Sequence, residues 1–154
     1  MKLITVILFL YIFLISCDTK MDVEKPVGVR NPLEGTWKLI SGTIIQGGDT
    51  TNTDYTKNKS FIKIINQNHF SFVDHDLNKG KDSLANYTSG AGAYTFKDST
   101  YTEHLEYCSD RAWEGNDFTF TILIRDDTLT QTGIEKIEKL GVNRLNIERY
   151  KRLN

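Results

Sequence analysis

From Leu33 to the C-terminus, hydrophobic and polar residues alternate in short runs separated by turn residues. Trp37, Leu39, Ser41, Thr43 and Ile45 share one face of a first predicted strand. Phe61, Lys63 and Ile65 alternate with Ile62 and Ile64 in a second, which reads as apolar on both faces. Phe70 with Phe72 marks a third strand, and Tyr94 with Phe96 a fourth. In a fifth, Tyr101, Glu103, Leu105 and Tyr107 alternate with Thr102, His104, Glu106 and Cys108. Phe118, Phe120, Ile122 and Ile124 define a sixth, and Leu129-Thr130 a seventh. Leu145, Ile147, Arg149 and Lys151 alternate with Asn146, Glu148, Tyr150 and Arg152 in an eighth. Period two, with β-branched and aromatic residues dominant, is the signature of strands.

Asp98-Ser99, Gly115-Asn116-Asp117 and Asp126-Asp127 read as hairpin turns. One stretch has helical spacing: Ile134 to Leu140, between Gly133 and Gly141. At two turns it is marginal as a helix, so a loop or helical turn is expected there. The polar segment from Asp74 to Gly90 is longer than ordinary hairpin loops and reads as a loop bordering one end of the domain. About eight strands with short links predict an all-β domain. Strand order in space should follow strand order in sequence. The expected architecture is an up-and-down antiparallel β-barrel of about eight strands, with room inside for side chains or one small ligand.

The N-terminus follows a different pattern. Met1-Lys2 is a short basic start, and Leu3 to Ile15 is apolar except for Thr5 and Tyr11. This run is too short for the roughly 20 residues of a membrane-spanning helix and has the flanks of a cleaved signal peptide. It ends in Leu14-Ile15-Ser16-Cys17, which resembles a bacterial lipobox. The expectation is a signal peptide over 1–16, lipidation at Cys17, a flexible tether to residue 32 and a β-domain over 33–154. Each buried methylene contributes about 0.8 kcal/mol, so two or three acyl chains on Cys17 would hold the domain on a membrane. The expected location is the bacterial cell envelope, facing the periplasm or the surface.

Charge adds little in this frame. Nineteen basic residues against twenty acidic ones give a net charge of −1. No basic stripe suggests nucleic acid. The cluster Arg149-Tyr150-Lys151-Arg152 reads as part of the last strand. A lipidated Cys17 leaves Cys108 as a lone thiol, read as a small buried residue. His104 stands four positions away, about 13 Å along a strand, too far to activate it. Asp74-His75-Asp76 has ligand-type side chains, but alternation sends neighbours to opposite faces. Neither a metal nor a cofactor is expected, and the domain is expected to be monomeric.

The triplet Gly35-Thr36-Trp37 opens the first strand, and Ile147 to Leu153 closes the last. Together they resemble the ends of the lipocalin and fatty-acid-binding superfamily (the calycins). The stretches Gly92 to Phe96 and Thr100 to His104 are also similar to the short lipocalin-like lipoproteins of Bacteroidetes-type bacteria. The resemblance implies that Trp37 plugs the closed end of a barrel, with Gly35 beside it and Arg152 packed across its indole. It does not carry over fatty-acid binding. Where that family grips a carboxylate with an arginine and a tyrosine, this chain keeps Tyr150 but has Glu148. The link from Gly47 to Asp54 is too polar and glycine-rich for the family's helical lid.

With Trp37 inward, alternation places Leu39, Ser41 and Thr43 inward too. With Arg152 against Trp37, Tyr150 and Glu148 follow. The cavity candidates are Tyr94, Tyr101, Glu103, Phe120, Glu148 and Tyr150. They describe a pocket for a small hydrophobic or amphipathic molecule, neutral or cationic. The alternative is an envelope interaction module whose barrel is filled and takes no ligand. Glu103 and Glu148 would do acid–base chemistry only if their pKa values were pushed apart. No third group in the sequence organises them, so an enzyme is not expected.

Overall fold

The computed structural model describes residues 31–81, 83 and 85–153. The expected signal peptide, Cys17 and the expected tether up to residue 30 lie outside the described residues. Nine strands follow in chain order: β1 (Gly35–Gln46), β2 (Asp49–Asp54), β3 (Lys59–Ile65), β4 (His69–Asp76), β5 (Tyr87–Lys97), β6 (Thr100–Cys108), β7 (Asn116–Arg125), β8 (Thr128–Ile137) and β9 (Val142–Leu153). Every pairing is antiparallel, and β1 also pairs with β9, which closes the sheet on itself. β9 occupies one edge of β1 from Thr36 to Ile45. The other edge is shared: β3 pairs with Gly35–Lys38 and β2 with Ser41–Gln46. β2 and β3 thus lie end to end, and the wall is a closed eight-stranded barrel.

The meander expected from short links is what forms. The sharp hairpins at Asp98-Ser99 and Asp126-Asp127 put Asp98 and Asp126 in the left-handed region, at φ 57° and 52°. Aspartate enters that region more readily than most residues. The link after β6 differs from the expected turn at Gly115. It holds a 3₁₀ turn over Arg111–Trp113, capped by the Asp110 carboxylate, which accepts from the Ala112 N–H.

Two other segments correct the sequence reading. Ile134 to Ile137 is strand rather than helical turn, because β9 offers a full ladder there, from Ile134 opposite Leu145 to Ile137 opposite Val142. Within the stretch from Ile134 to Leu140, the 3₁₀ turn is confined to Glu138–Leu140. Similarly, Asp74 to Asp76 belongs to β4 and Tyr87 to Gly90 to β5, so the loop between them is shorter than expected. β2 has no apolar face at all, and its pairing with β1 alone makes it a strand.

Two bulges set which side chains face inward. On β1, Leu39 pairs with Tyr150 and Ser41 with Arg149, so Ile40 is an extra residue. On β6, Leu105 pairs with Gly92 and Tyr107 with Ala91, so Glu106 is extra. An extra residue reverses the alternation beyond it. Gly42 and Ile44 therefore line the interior, not Ser41 and Thr43, and Cys108 replaces Tyr107, which is 66% exposed. Gly92 is required opposite the β6 bulge: a Cβ there would sit 1.9 Å from the His104 carbonyl oxygen.

Candidate functional site

The interior divides into two levels. The lower is a solid plug. Trp37 is fully buried, and its Nε1 donates to the Leu33 carbonyl at 2.8 Å. Arg152 lies with its guanidinium carbon 4.0 Å from the Trp37 ring centroid and donates to the Glu34 and Pro32 carbonyls at 2.7 and 2.8 Å. Gly35 makes room for it, since a Cβ there would fall 2.6 Å from Arg152 Nη1. Tyr94 and Tyr101 pack with ring centroids 5.2 Å apart. The Tyr94 hydroxyl donates to the Asn66 carbonyl and accepts from Asn31. Ile65, Phe70, Phe120, Ile122, Leu129 and Tyr150 complete the layer.

A polar floor lies on the plug. Lys63 points inward from β3 at 4% exposure. Its ammonium donates to Glu103 at 2.7 Å and to the Gln131 side-chain oxygen at 3.2 Å. Gln131 in turn donates to Glu148 Oε2 at 3.1 Å, and the Tyr150 hydroxyl donates to the same oxygen at 2.8 Å. Burial acts to lower the Lys63 pKa, but the Glu103 and Glu148 carboxylates outweigh it and hold it above the ordinary lysine value. Burial raises Glu103, and the Lys63 contact offsets this only in part. The Glu148 carboxylate pushes both groups further upward, because the floor holds two carboxylates and one ammonium. Removing either partner of the buried Lys63–Glu103 pair would leave an uncompensated charge.

Above the floor the barrel is open. A cavity of about 410 Å³ is walled by Tyr55, Phe61, Phe72, Leu105, Trp113 and Phe118. Phe61 and Phe72 stack with centroids 5.5 Å apart, and Tyr55 meets Phe61 edge-on at 5.9 Å. Burial, then the charge of Asp74, pushes the Tyr55 phenol up to about 12. On the opposite wall, Glu135 Oε2 accepts from Arg144 at 2.6 Å and Oε1 accepts from Asn146 at 2.8 Å. The Arg144 guanidinium also stands 5.1 Å from the Trp113 ring centroid. Trp113 reaches the mouth because the 3₁₀ turn is tied down: Glu114 accepts the Cys108 N–H at 2.8 Å and the Arg111 guanidinium at 2.8 Å.

Of the six cavity candidates from the sequence, Glu103 and Glu148 line this cavity, at its floor. Tyr94, Tyr101, Phe120 and Tyr150 do not: they are buried in the plug beneath it. The reason is geometric. One period-two face runs the length of a strand through both levels, so alternation gives the face and not the depth. Sequence reasoning missed Lys63, Tyr55, Trp113, Glu135 and Arg144. Lys63 had a usable signal: a cation between Phe61 and Ile65 at period two. Trp113 and Tyr55 sit in links, where no periodicity marks them.

Cys108 lines the cavity half-buried, and burial pushes its thiol up, away from the reactive thiolate. His104 faces outward and sits 2.8 Å from Asp117. Among the described residues no group of His, Cys, Asp and Glu is arranged to hold a metal ion.

The molecule is thus a closed antiparallel up-and-down barrel, filled at one end and hollow at the other. Its fold is similar to that of a lipocalin-like protein from Bacteroides uniformis ATCC 8492, with 15% identity over 79% of this chain and 98% of that one, at a TM-score of 0.48. It is also similar to an uncharacterized protein from Bacteroides eggerthii DSM 20697, with 13% identity over 78% of this chain and 98% of that one, at a TM-score of 0.45. No family model matches the chain, and no curated protein matches it in sequence.

Proposed function

We propose that this protein is a lipid-anchored binding protein of the bacterial cell envelope that holds a small amphipathic molecule in the upper half of its barrel. The observation that carries this reading is the cavity of about 410 Å³, aromatic on its walls and hydrogen-bonding at its floor. Ligand sites commonly combine mostly apolar walls with a few convergent polar groups. The apolar body of a ligand would lie between Phe61, Phe72 and Phe118, with its polar end towards Glu148. The lipobox-like ending at Cys17 supports export and anchoring.

Two measurements test the two parts. Titration with N-phenyl-1-naphthylamine, a neutral fluorophore, should give saturable, blue-shifted emission. Ile44→Trp, which puts an indole into the cavity, should abolish it. Emission that is unaffected by Ile44→Trp would place the probe elsewhere and defeat the reading. Labelled palmitate should enter the wild-type chain in a lipoprotein-processing host and fail to enter Cys17→Ala; equal labelling of both would refute anchoring at Cys17.

A further inference from the structure

We infer that the ligand of this cavity is a small organic cation, an amine carried on an apolar body, with the Glu148 carboxylate as its counter-ion. The inference rests on the barrel being a ligand container and deepens that reading by naming the charge of what it contains.

The cavity is lined by two cations, Lys63 and Arg144, and by four carboxylates, Glu103, Asp110, Glu135 and Glu148. Each cation already has its own carboxylate. Lys63 is in contact with Glu103 at 2.7 Å and Arg144 with Glu135 at 2.6 Å. Lys63 also donates to Gln131, and Arg144 packs on Trp113. Neither lining cation is free to receive a carboxylate or a phosphate. An anionic ligand would enter a cavity whose remaining charge is negative.

Glu148 feels the Lys63 ammonium only at a distance and is the floor carboxylate without a salt-bridge partner among the described residues. Its Oε2 is held by two neutral donors, Gln131 Nε2 and the Tyr150 hydroxyl. No cation among the described residues lies within ion-pair distance of it, and Oε1 receives no hydrogen bond from them. A charged or strongly donating group would complete this half-buried carboxylate. The neutral donors fix its orientation, leaving Oε1 for a donor in the cavity. Phe61, which lines the same cavity, packs edge-on against Tyr150 at 6.2 Å. An ammonium bound to Glu148 would therefore meet aromatic rings as well as a carboxylate, and ring faces attract cations. Asp110 is exposed at the rim and its carboxylate caps the 3₁₀ turn, so it attracts a cation without seating one.

A matched set of three probes decides the matter: 4-phenylbutylamine, 4-phenylbutan-1-ol and 4-phenylbutyrate, titrated by calorimetry into the full chain in a neutral detergent. They share one apolar body and differ in the charge of the end group. The amine should bind at least about tenfold more tightly than the alcohol, as expected for a hydrogen bond to a charged group. The butyrate should bind more weakly than the alcohol. Glu148→Gln preserves both internal hydrogen bonds, because the amide oxygen still accepts from Gln131 and Tyr150. It should bring the amine to the level of the alcohol while leaving the melting temperature in place. Asp110→Asn should keep the preference for the amine. Equal binding of amine and alcohol overturns the inference and leaves the ligand container standing. A preference that survives Glu148→Gln overturns it as well. Failure of all three probes overturns both readings.

Discussion

Below Lys63 the barrel interior is packed with the buried side chains of Trp37, Tyr94, Tyr101, Phe120 and Tyr150. Above it the same strands enclose empty space bordered by Glu103, Glu135, Arg144 and Glu148. The difference shows how one closed sheet does two jobs. The plug supplies most of the buried apolar surface, and hence the stability. That lets the upper half keep buried charges and an open volume, both of which cost stability. Lys63 and Glu103 lie at the boundary and belong to both regions.

The two tryptophans should show the largest difference between the levels. Trp37→Ala should cost about 3–5 kcal/mol of unfolding free energy, the usual range for losing a buried large aromatic. Trp113→Ala, at the half-exposed mouth, should cost well under half of that. Urea denaturation of both variants checks this, and equal losses would mean that the two levels are not distinct.

The next largest effect is at the floor. Lys63→Met alone leaves Glu103 buried without its partner and should cost about 3 kcal/mol or more. Pairing it with Glu103→Gln removes the stranded charge and should recover most of that loss. A double-mutant cycle reads it directly; additive losses would show that the pair is not coupled.

Alkaline pH probes the plug and the wall together. Burial, then Asp74, holds the Tyr55 phenol up to about 12, and burial also raises Tyr101 and Tyr150. A tyrosine in the unfolded chain ionises near pH ~10. A folded-state pKa above that value gives stability that is complete below about pH 10 and is lost as the pH rises through the folded pKa. The urea midpoint should therefore hold up to about pH 10 and fall between about 10 and 12 as Tyr55 loses its proton. Absorbance at 295 nm should show Tyr101 and Tyr150 ionising only together with unfolding. A midpoint that is flat to pH 12 would contradict their burial.

The smallest effect is expected at Glu148. Glu148→Gln removes an unpaired carboxylate and keeps its hydrogen bonds, so stability should change by no more than about 0.5 kcal/mol. A large loss would mean that Glu148 holds the barrel together rather than completing a site.

The plug was the more legible of the two halves. Trp37 at the head of a period-two strand and Arg152 at the matching place in the last strand were both marked by pattern and by resemblance. The cavity was not, for three physical reasons. The bulges at Ile40 and Glu106 reverse the inward face partway along β1 and β6, and one extra residue leaves no compositional trace. Depth along a strand is set by tilt and closure, so Tyr94, Tyr101, Phe120 and Tyr150 could be assigned a face but not a level. The residues that shape the mouth, Tyr55 and Trp113, come from links, where alternation is silent. β2 shows the same limit from the other side: Asp49–Asp54 has no strand-like face, and only the ladder with β1 makes it one.

The chain has two tryptophans, one in each half, so a single sample reports on both levels. The protein labelled with 5-fluorotryptophan can be followed by ¹⁹F NMR during titration with 4-phenylbutan-1-ol, which carries no charge and so tests the cavity independently of Glu148. A filled plug beneath a ligand cavity predicts that the Trp113 resonance shifts and saturates while Trp37 stays fixed. If Trp37 moves with it, or neither moves while the alcohol binds, the division of the barrel into plug and cavity is wrong.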